Sequence, residues 1–384
     1  MNENTSGIVE TVDQETIMGD IEVKEPGIHD EGKEIPFPEY RAPDEEEEDP
    51  KWPEDSNLQS LIYKLPDDKL PIIYDDIYNI TFMGLQKLHP FDSEKWGRIV
   101  DILSNDGCKA FQKLRSMVCK PREATDDILA VVHTQDYLDS LKWSSKVARV
   151  TEVLPIAILP NFVVQSKLLR KLRTQTGGTV LAAYAAYRRG WSINIGGGFH
   201  HCYSTDGGGF CAYADITMAI KMLMEKVDLD RIMIVDLDAH QGNGHERDFM
   251  GNEKVYIMDV YNRSIYPQDE YAKGAIKKKC PIVPGLKTDP YMEVVTYNYQ
   301  KALEEFKPQF ILYNAGTDIL EGDPLGMLNI SEEGVIQRDE FVFKLAREQQ
   351  IPIAMVTSGG YQRSTANVIA RSIINLHLHD LIPR

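Results

Sequence analysis

Asp236, Asp238 and His240 stand two residues apart at the end of the apolar run Met233–Val235. In an extended chain that spacing projects all three side chains to one side. Carboxylate oxygen and imidazole nitrogen together suit Zn2+, whose catalytic sites use three protein ligands and keep a fourth position open. Asp318, in Gly316-Thr317-Asp318, is the natural third ligand. One Asp at a strand end reads more simply as a helix cap; Asp-x-Asp-x-His as a set points to metal. His200 and His201 follow three glycines, and four of the nine histidines fall between 200 and 245. A lone His is more often a satisfied core or surface residue, but a tandem pair on a Gly-rich strand end suits proton transfer. One ring can take a proton from an activated water and return it to a leaving group, while the other stabilises charge. His245, just past the loop, reads as a supporting or helix-start residue and not a ligand. Tyr361 follows Gly359-Gly360; a phenol held there can donate to a developing oxyanion, typically worth about 3 kcal/mol.

These residues sit in four segments of one design, an apolar run followed by a Gly-rich polar loop: Ile193–His201, Met233–Gly244, Leu312–Pro324 and Ala354–Tyr361. In open α/β sheets ligands gather at the carboxyl ends of the strands, so the four loops can meet on one edge. Strands are predicted at Leu129–Val132, Trp191–Ile195, Arg231–Leu237, Val255–Val260, Phe310–Asn314 and Ile351–Thr357. Helices are predicted at Gly178–Arg189, Ile216–Val227, Tyr291–Phe306 and Glu333–Glu348. Ile216, Ala219, Ile220, Leu223 and Met224 fall on one helical face, and the methionines of that segment read as core filler. Alternating β and α with strands this apolar implies a mostly parallel sheet covered on both faces. No Gly-rich run continues into Lys-Ser/Thr, and Gly242-Asn243-Gly244 does not complete a dinucleotide fingerprint. A Gly-x-Ser-x-Gly elbow is also absent, which leaves a serine hydrolase unsupported.

The chain has 384 residues and a net charge of −17, unevenly spread. Residues 1–56 hold 19 acids and four bases, a net −15, whereas the other 328 residues hold 40 acids and 38 bases, a net −2. Residues 1–66 are rich in Glu, Asp and Pro and lack a sustained period, so an acidic tail without a core is expected there, with an ordered patch around Leu58–Tyr63. Residues 67–384 are expected to form one large catalytic domain. A nearly neutral body disfavours direct nucleic-acid binding. No run reaches the roughly 18 apolar residues of a membrane span, and the N-terminus does not read as a signal peptide. Five cysteines without a C-x-x-C argue against a disulfide framework and for a reducing intracellular home, nucleus or cytoplasm.

The chain resembles the zinc-dependent histone deacetylases of the arginase/deacetylase fold from about residue 70 onward. The likeness to the class IV branch (the histone deacetylase eleven type) rests on Asn79–Asp92, Asp236–Met250, Tyr256–Arg263 and Asn314–Gly326. That resemblance implies an open, eight-stranded, mostly parallel sheet and one catalytic zinc on Asp238, His240 and Asp318. It implies potassium near the Asp236–His240 backbone. His201 would be the general base and His200, backed by Asp236, its electrostatic partner. Tyr361 would polarise the scissile carbonyl. Gly209 and Phe210 would form one wall of the acyl-lysine channel and Tyr266 the opposite wall. Asn243 stands behind His201 where class I enzymes have Asp, so His201 is expected to be less basic. The implied activity is hydrolysis of Nε-acyl-lysine on proteins, possible histones included, with long-chain fatty acyl groups as well as acetyl, and a role in transcriptional repression beside corepressor proteins. An acetylpolyamine-type amidohydrolase and a corepressor scaffold with secondary catalysis are the competing readings. A two-manganese ureohydrolase would need a further ligand set that Gln241-Gly242-Asn243 does not offer.

Overall fold

The structure, a computed structural model, describes residue 40 and residues 57–81, 92–105 and 108–383. The acidic segment 1–56, apart from Tyr40, and the motif residues 82–91 lie outside the described residues. Five of the predicted apolar runs form strands of one parallel sheet. In chain order the strands are β1 (Ile72–Ile73), β2 (Trp191–Asn194), β3 (Ile232–Asp236), β4 (Val255–Asn262), β5 (Lys278–Ile282), β6 (Phe310–Asn314) and β7 (Ile353–Val356). Their spatial order is β1-β2-β7-β6-β3-β4-β5, and every pairing is parallel.

Every residue of β2, β3, β4, β6 and β7 is buried. Successive strand side chains point to opposite faces, so complete burial means that both faces are covered. Each Ile, Val or Leu so placed contributes roughly 2 kcal/mol relative to exposure. Helices supply the covering layers, among them Arg170–Arg189, Asp215–Lys226, Thr288–Phe306, Glu332–Glu348 and Thr365–Leu378. Ser331 caps the Glu332–Glu348 helix, its hydroxyl accepting from the Gly334 N–H, with Glu332 and Glu333 in the first turn.

Two expectations are corrected. Leu129–Val132 is not a strand: Asp126–Leu129 is a short helix with two acids in its first turn, and the chain then turns. The apolar run there reflects burial of Ile128, Leu129 and Val132, which a helix and turn satisfy equally well. Seven strands, not eight, are found among the described residues. Beyond β1 only Cys119 pairs, in a single bridge to Ile73, and Pro121, without an N–H, is unsuited to extending a ladder there. In addition β5 had no predicted counterpart. It is an edge strand, Lys-Lys-Cys-Pro-Ile, whose charges and proline blunt an exposed edge and hide its strand character from a hydrophobicity pattern. Leu58, Leu61, Ile62 and Leu65 are buried, so core residues begin before position 67.

Candidate active site

Strands β2, β7, β6 and β3 are consecutive neighbours in the sheet. The four Gly-rich loops leave their carboxyl ends side by side, which is what brings residues 120 positions apart within bonding distance. Asp238, His240 and Asp318 form one group whose ligand atoms all lie within 4.8 Å of one another. His240 Nδ1 is 3.1 Å from Asp238 Oδ1 and 2.8 Å from Asp318 Oδ2. Asp238 is held by the Ser358 hydroxyl at 2.9 Å and by the N–H groups of Gly359 and His240 at 3.0 Å. Asp318 accepts from the Ala239 N–H at 2.9 Å.

This group is short of positive charge. Burial and the neighbouring Asp238 push the Asp318 carboxyl up to about 7. Burial disfavours a charged His240, but Asp238 and Asp318 outweigh it and hold the ring up at about 10. Two buried carboxylates facing one imidazole leave negative charge that a bound cation or a shared proton would balance. The donor set fits zinc. Gly359 has to be a glycine: a Cβ there would lie 2.4 Å from Asp238 Oδ2 and 2.5 Å from Asp318 Oδ2.

The second buried group is His200, Asp236 and His245. The predicted common side for Asp236, Asp238 and His240 does not hold. Strand β3 ends at Asp236, the backbone then bends, and Asp236 faces away from the first group. Its Oδ2 accepts from His200 Nδ1 at 2.9 Å and His245 Nε2 at 2.8 Å. Its Oδ1 accepts from Asn314 Nδ2 at 2.9 Å and the Asp238 N–H at 3.2 Å. Burial would raise this carboxyl, but the two histidines hold it at about 2. Burial likewise opposes charge on His200, yet Asp236 and Asp238 raise it to about 9.

His201 lies beside this pair, its ring 4.1 Å from that of His200. Its Nδ1 is 2.8 Å from Asn243 Oδ1. The Asn243 amine points to Asp269 at 3.4 Å, which orients the amide oxygen toward His201. Nδ1 of His201 is therefore the donor, and Nε2 is left with its lone pair. Burial and the rings of His200 and His240 hold His201 well below the ordinary 6.5. Two adjacent histidines thus prefer opposite charge states.

Tyr361 stands with its ring 6.2 Å from that of His240, and its N–H is anchored on Asp323 at 2.9 Å. Burial keeps the phenol protonated, well above its ordinary range, so it is a donor. Gly209 and Phe210 both adopt positive φ, 53° and 65°. A Cβ on Gly209 would come within 2.4 Å of His201 Cδ2, so this turn lies directly against the His201 ring. Tyr266 packs its ring edge-on against His201 at 4.9 Å and is 47% exposed. Ten of the eleven expected site residues are linked by these contacts, and Phe210 adjoins them through Gly209.

Supporting residues were missed. Lys95, fully buried, donates to the carbonyls of Ser358 and Gly359 and fixes the turn that carries Tyr361. Asp215 accepts from the N–H groups of Gly198 and Phe199, both at 2.8 Å, and fixes the loop that carries His200. Arg338 donates to the carbonyls of Gly316 at 2.6 Å and Leu237 at 3.1 Å, tying the two ligand loops together. No local pattern marks Lys95 or Arg338; each is a charge on an ordinary helix. Asp215 opens its helix, as an acid in a first turn ordinarily does.

Fold and site together define a single-domain parallel α/β protein with a buried, carboxylate-rich Asp-His-Asp group beside a histidine pair. The sequence matches the Histone deacetylase domain family over residues 89–376. It is 52% identical to Histone deacetylase 2 of Arabidopsis thaliana over 322 residues, 84% of this chain and 82% of that protein. The fold is similar to that of the HDA15 HD domain (TM-score 0.65, 19% identity, 82% of this chain and 89% of that one). It is also similar to that of an HDAC homolog complexed with SAHA (TM-score 0.62, 22% identity, 81% of this chain and 84% of that one). The chain belongs to the histone deacetylase family.

Proposed function

We propose that this protein hydrolyses Nε-acyl-lysine amides on proteins, with one zinc ion held by Asp238, His240 and Asp318. The observation that carries the reading is the juxtaposition of the carboxylate-rich group with a neutral imidazole and a protonated phenol. A divalent cation bound there supplies Lewis-acid chemistry. The chain's own residues do the rest. Tyr361 donates its phenolic proton in a hydrogen bond to the scissile carbonyl oxygen and stabilises the oxyanion as it forms. His201 Nε2 takes the proton of the attacking water, and Asn243 holds the tautomer that leaves this nitrogen free. His200, charged through its bond to Asp236, stabilises the negative charge and keeps His201 from protonating early. The proton then passes to the departing lysine amine. Gly209, Phe210 and Tyr266 flank the acyl-lysine.

The runs shared with the class IV branch support long-chain fatty acyl groups as substrates alongside acetyl. Histones are candidate substrates, and a place in transcriptional repression beside corepressors, in nucleus or cytoplasm, follows from the same reading. Potassium near the Asp236–His240 backbone belongs to the same family reading. The catalytic unit is taken as residues 67–384 together with the buried Leu58, Leu61, Ile62 and Leu65, with the acidic tail outside the chemistry.

The test is turnover by zinc-loaded enzyme on matched acetyl-, octanoyl- and myristoyl-lysine peptides and on acetylated polyamines. Faster turnover of the peptides, rising with chain length, is expected. Preference for polyamines would replace this reading with the amidohydrolase one, and two metals per chain would exclude it.

A further inference from the structure

Beside the channel wall the chain carries a surface that the catalytic reading does not use. Residues 153–166, Val-Leu-Pro-Ile-Ala-Ile-Leu-Pro-Asn-Phe-Val-Val-Gln-Ser, contain no charge. Leu154, Ile158 and Phe162, four residues apart, are 78%, 88% and 75% exposed, and Trp143 is 71% exposed. The segment is folded back on the Ser144–Val150 helix and is well anchored there. Ser144 Oγ donates to the Leu159 carbonyl at 2.7 Å, and Gln165 Nε2 and Asn161 Nδ2 donate to the Leu141 carbonyl at 3.1 and 3.3 Å. Its place next to the site is fixed by the Phe210 N–H donating to the Val150 carbonyl at 3.0 Å.

The charges around it run against those of the chain. Positions 141–173 hold Lys142, Lys146, Arg149, Lys167, Arg170, Lys171 and Arg173 against Glu152 alone. Glu123, Asp139 and Asp206 pair with five of these bases and Asp126 acts on Lys142, which still leaves seven bases to five acids in a body of net −2. Side chains exposed to this degree protrude and do not line a groove. Protruding aliphatic and aromatic groups framed by Lys and Arg are the pattern of segments that lie in a lipid headgroup region. No helix among the described residues is long and apolar enough to cross a membrane, so the contact would be interfacial.

The geometry points to an anionic bilayer surface as the partner of this face, with Trp143, Leu154, Ile158 and Phe162 inserting and the surrounding bases meeting acidic headgroups. The mouth formed by Phe210 then opens beside the lipid. The orientation of the mouth and the turnover control rest on the hydrolase reading; vesicle binding itself does not, because it concerns residues outside the site.

Full-length protein is mixed with phosphatidylcholine vesicles with and without about one-third phosphatidylserine, and binding is read by sedimentation. Binding to the serine-containing vesicles, weakened by salt, is expected. The Ile158→Ser/Phe162→Ser double variant should bind at least about tenfold more weakly, as should Lys142→Glu/Lys167→Glu. Both variants should keep wild-type turnover of a short soluble peptide, which shows that they are folded. No vesicle binding by the wild type, or equal binding by the variants, overturns the proposal. So does retention only on an acidic protein.

Discussion

The two buried three-residue groups at the strand ends use the same residue types in inverse ratio. Asp238, His240 and Asp318 set two carboxylates against one imidazole; His200, Asp236 and His245 set one carboxylate against two. By proximity alone either could hold a metal. The hydrogen bonds separate them. Asp236 faces two separate imidazoles, besides the Asn314 amide and the Asp238 N–H, so its charge is balanced within the protein. In the first group both carboxylates face His240 and compete for its single proton. One group balances its charge with two imidazoles; the other leaves two carboxylates sharing one. Charge balance, not residue identity, makes a ligand.

The sharpest way to break this comparison is metal content. Asp318→Ala should abolish stoichiometric zinc binding and with it nearly all turnover, whereas His245→Ala should retain zinc, as measured by atomic absorption on purified protein. Loss of zinc in both would mean that the two groups act as one site. Next in size, His201→Ala should lower kcat by about 10²-fold or more, and Tyr361→Phe by about 10²- to 10³-fold, zinc content unchanged in each. Retention of near wild-type kcat by either would remove that residue from its role.

His245→Ala itself is expected to cost less, about tenfold in kcat, because His200 keeps its bond to Asp236 while losing the neighbour that positions the carboxylate. An unaltered kcat would make His245 merely structural.

The smallest effect is a shift and not a loss. His201 must be unprotonated to act as base, so activity falls as pH drops through its pKa, and burial places that limb below 6.5. Asn243→Asp puts a negative charge 2.8 Å from Nδ1, stabilises the charged ring, and should move the acidic limb of the pH–rate profile upward. A limb that stays in place would falsify the assignment of His201.

Much of this was legible in the chain. The strands β2, β3, β4, β6 and β7 declared themselves because complete burial requires unbroken apolar runs, and the polar loops after them held every reacting group. Edge elements were not legible. Lys278–Ile282 pairs on one side only, so its composition answers to solvent, and Leu129–Val132 shows that four buried residues do not choose between strand and helix.

The sequence by itself determined the inventory: which side chains can bind a cation, move a proton or donate to an oxyanion, and that they follow strand ends. Only the tertiary structure decided their partnership. The order β2-β7-β6-β3 makes distant loops adjacent, and the end of β3 at Asp236 turns that carboxylate to the histidines while Asp238 turns to Asp318. Lys95 and Arg338 became supports because folding buried them against carbonyls hundreds or dozens of residues away. Spacing along a chain fixes only local direction; which charge compensates which is set by distances that exist after folding.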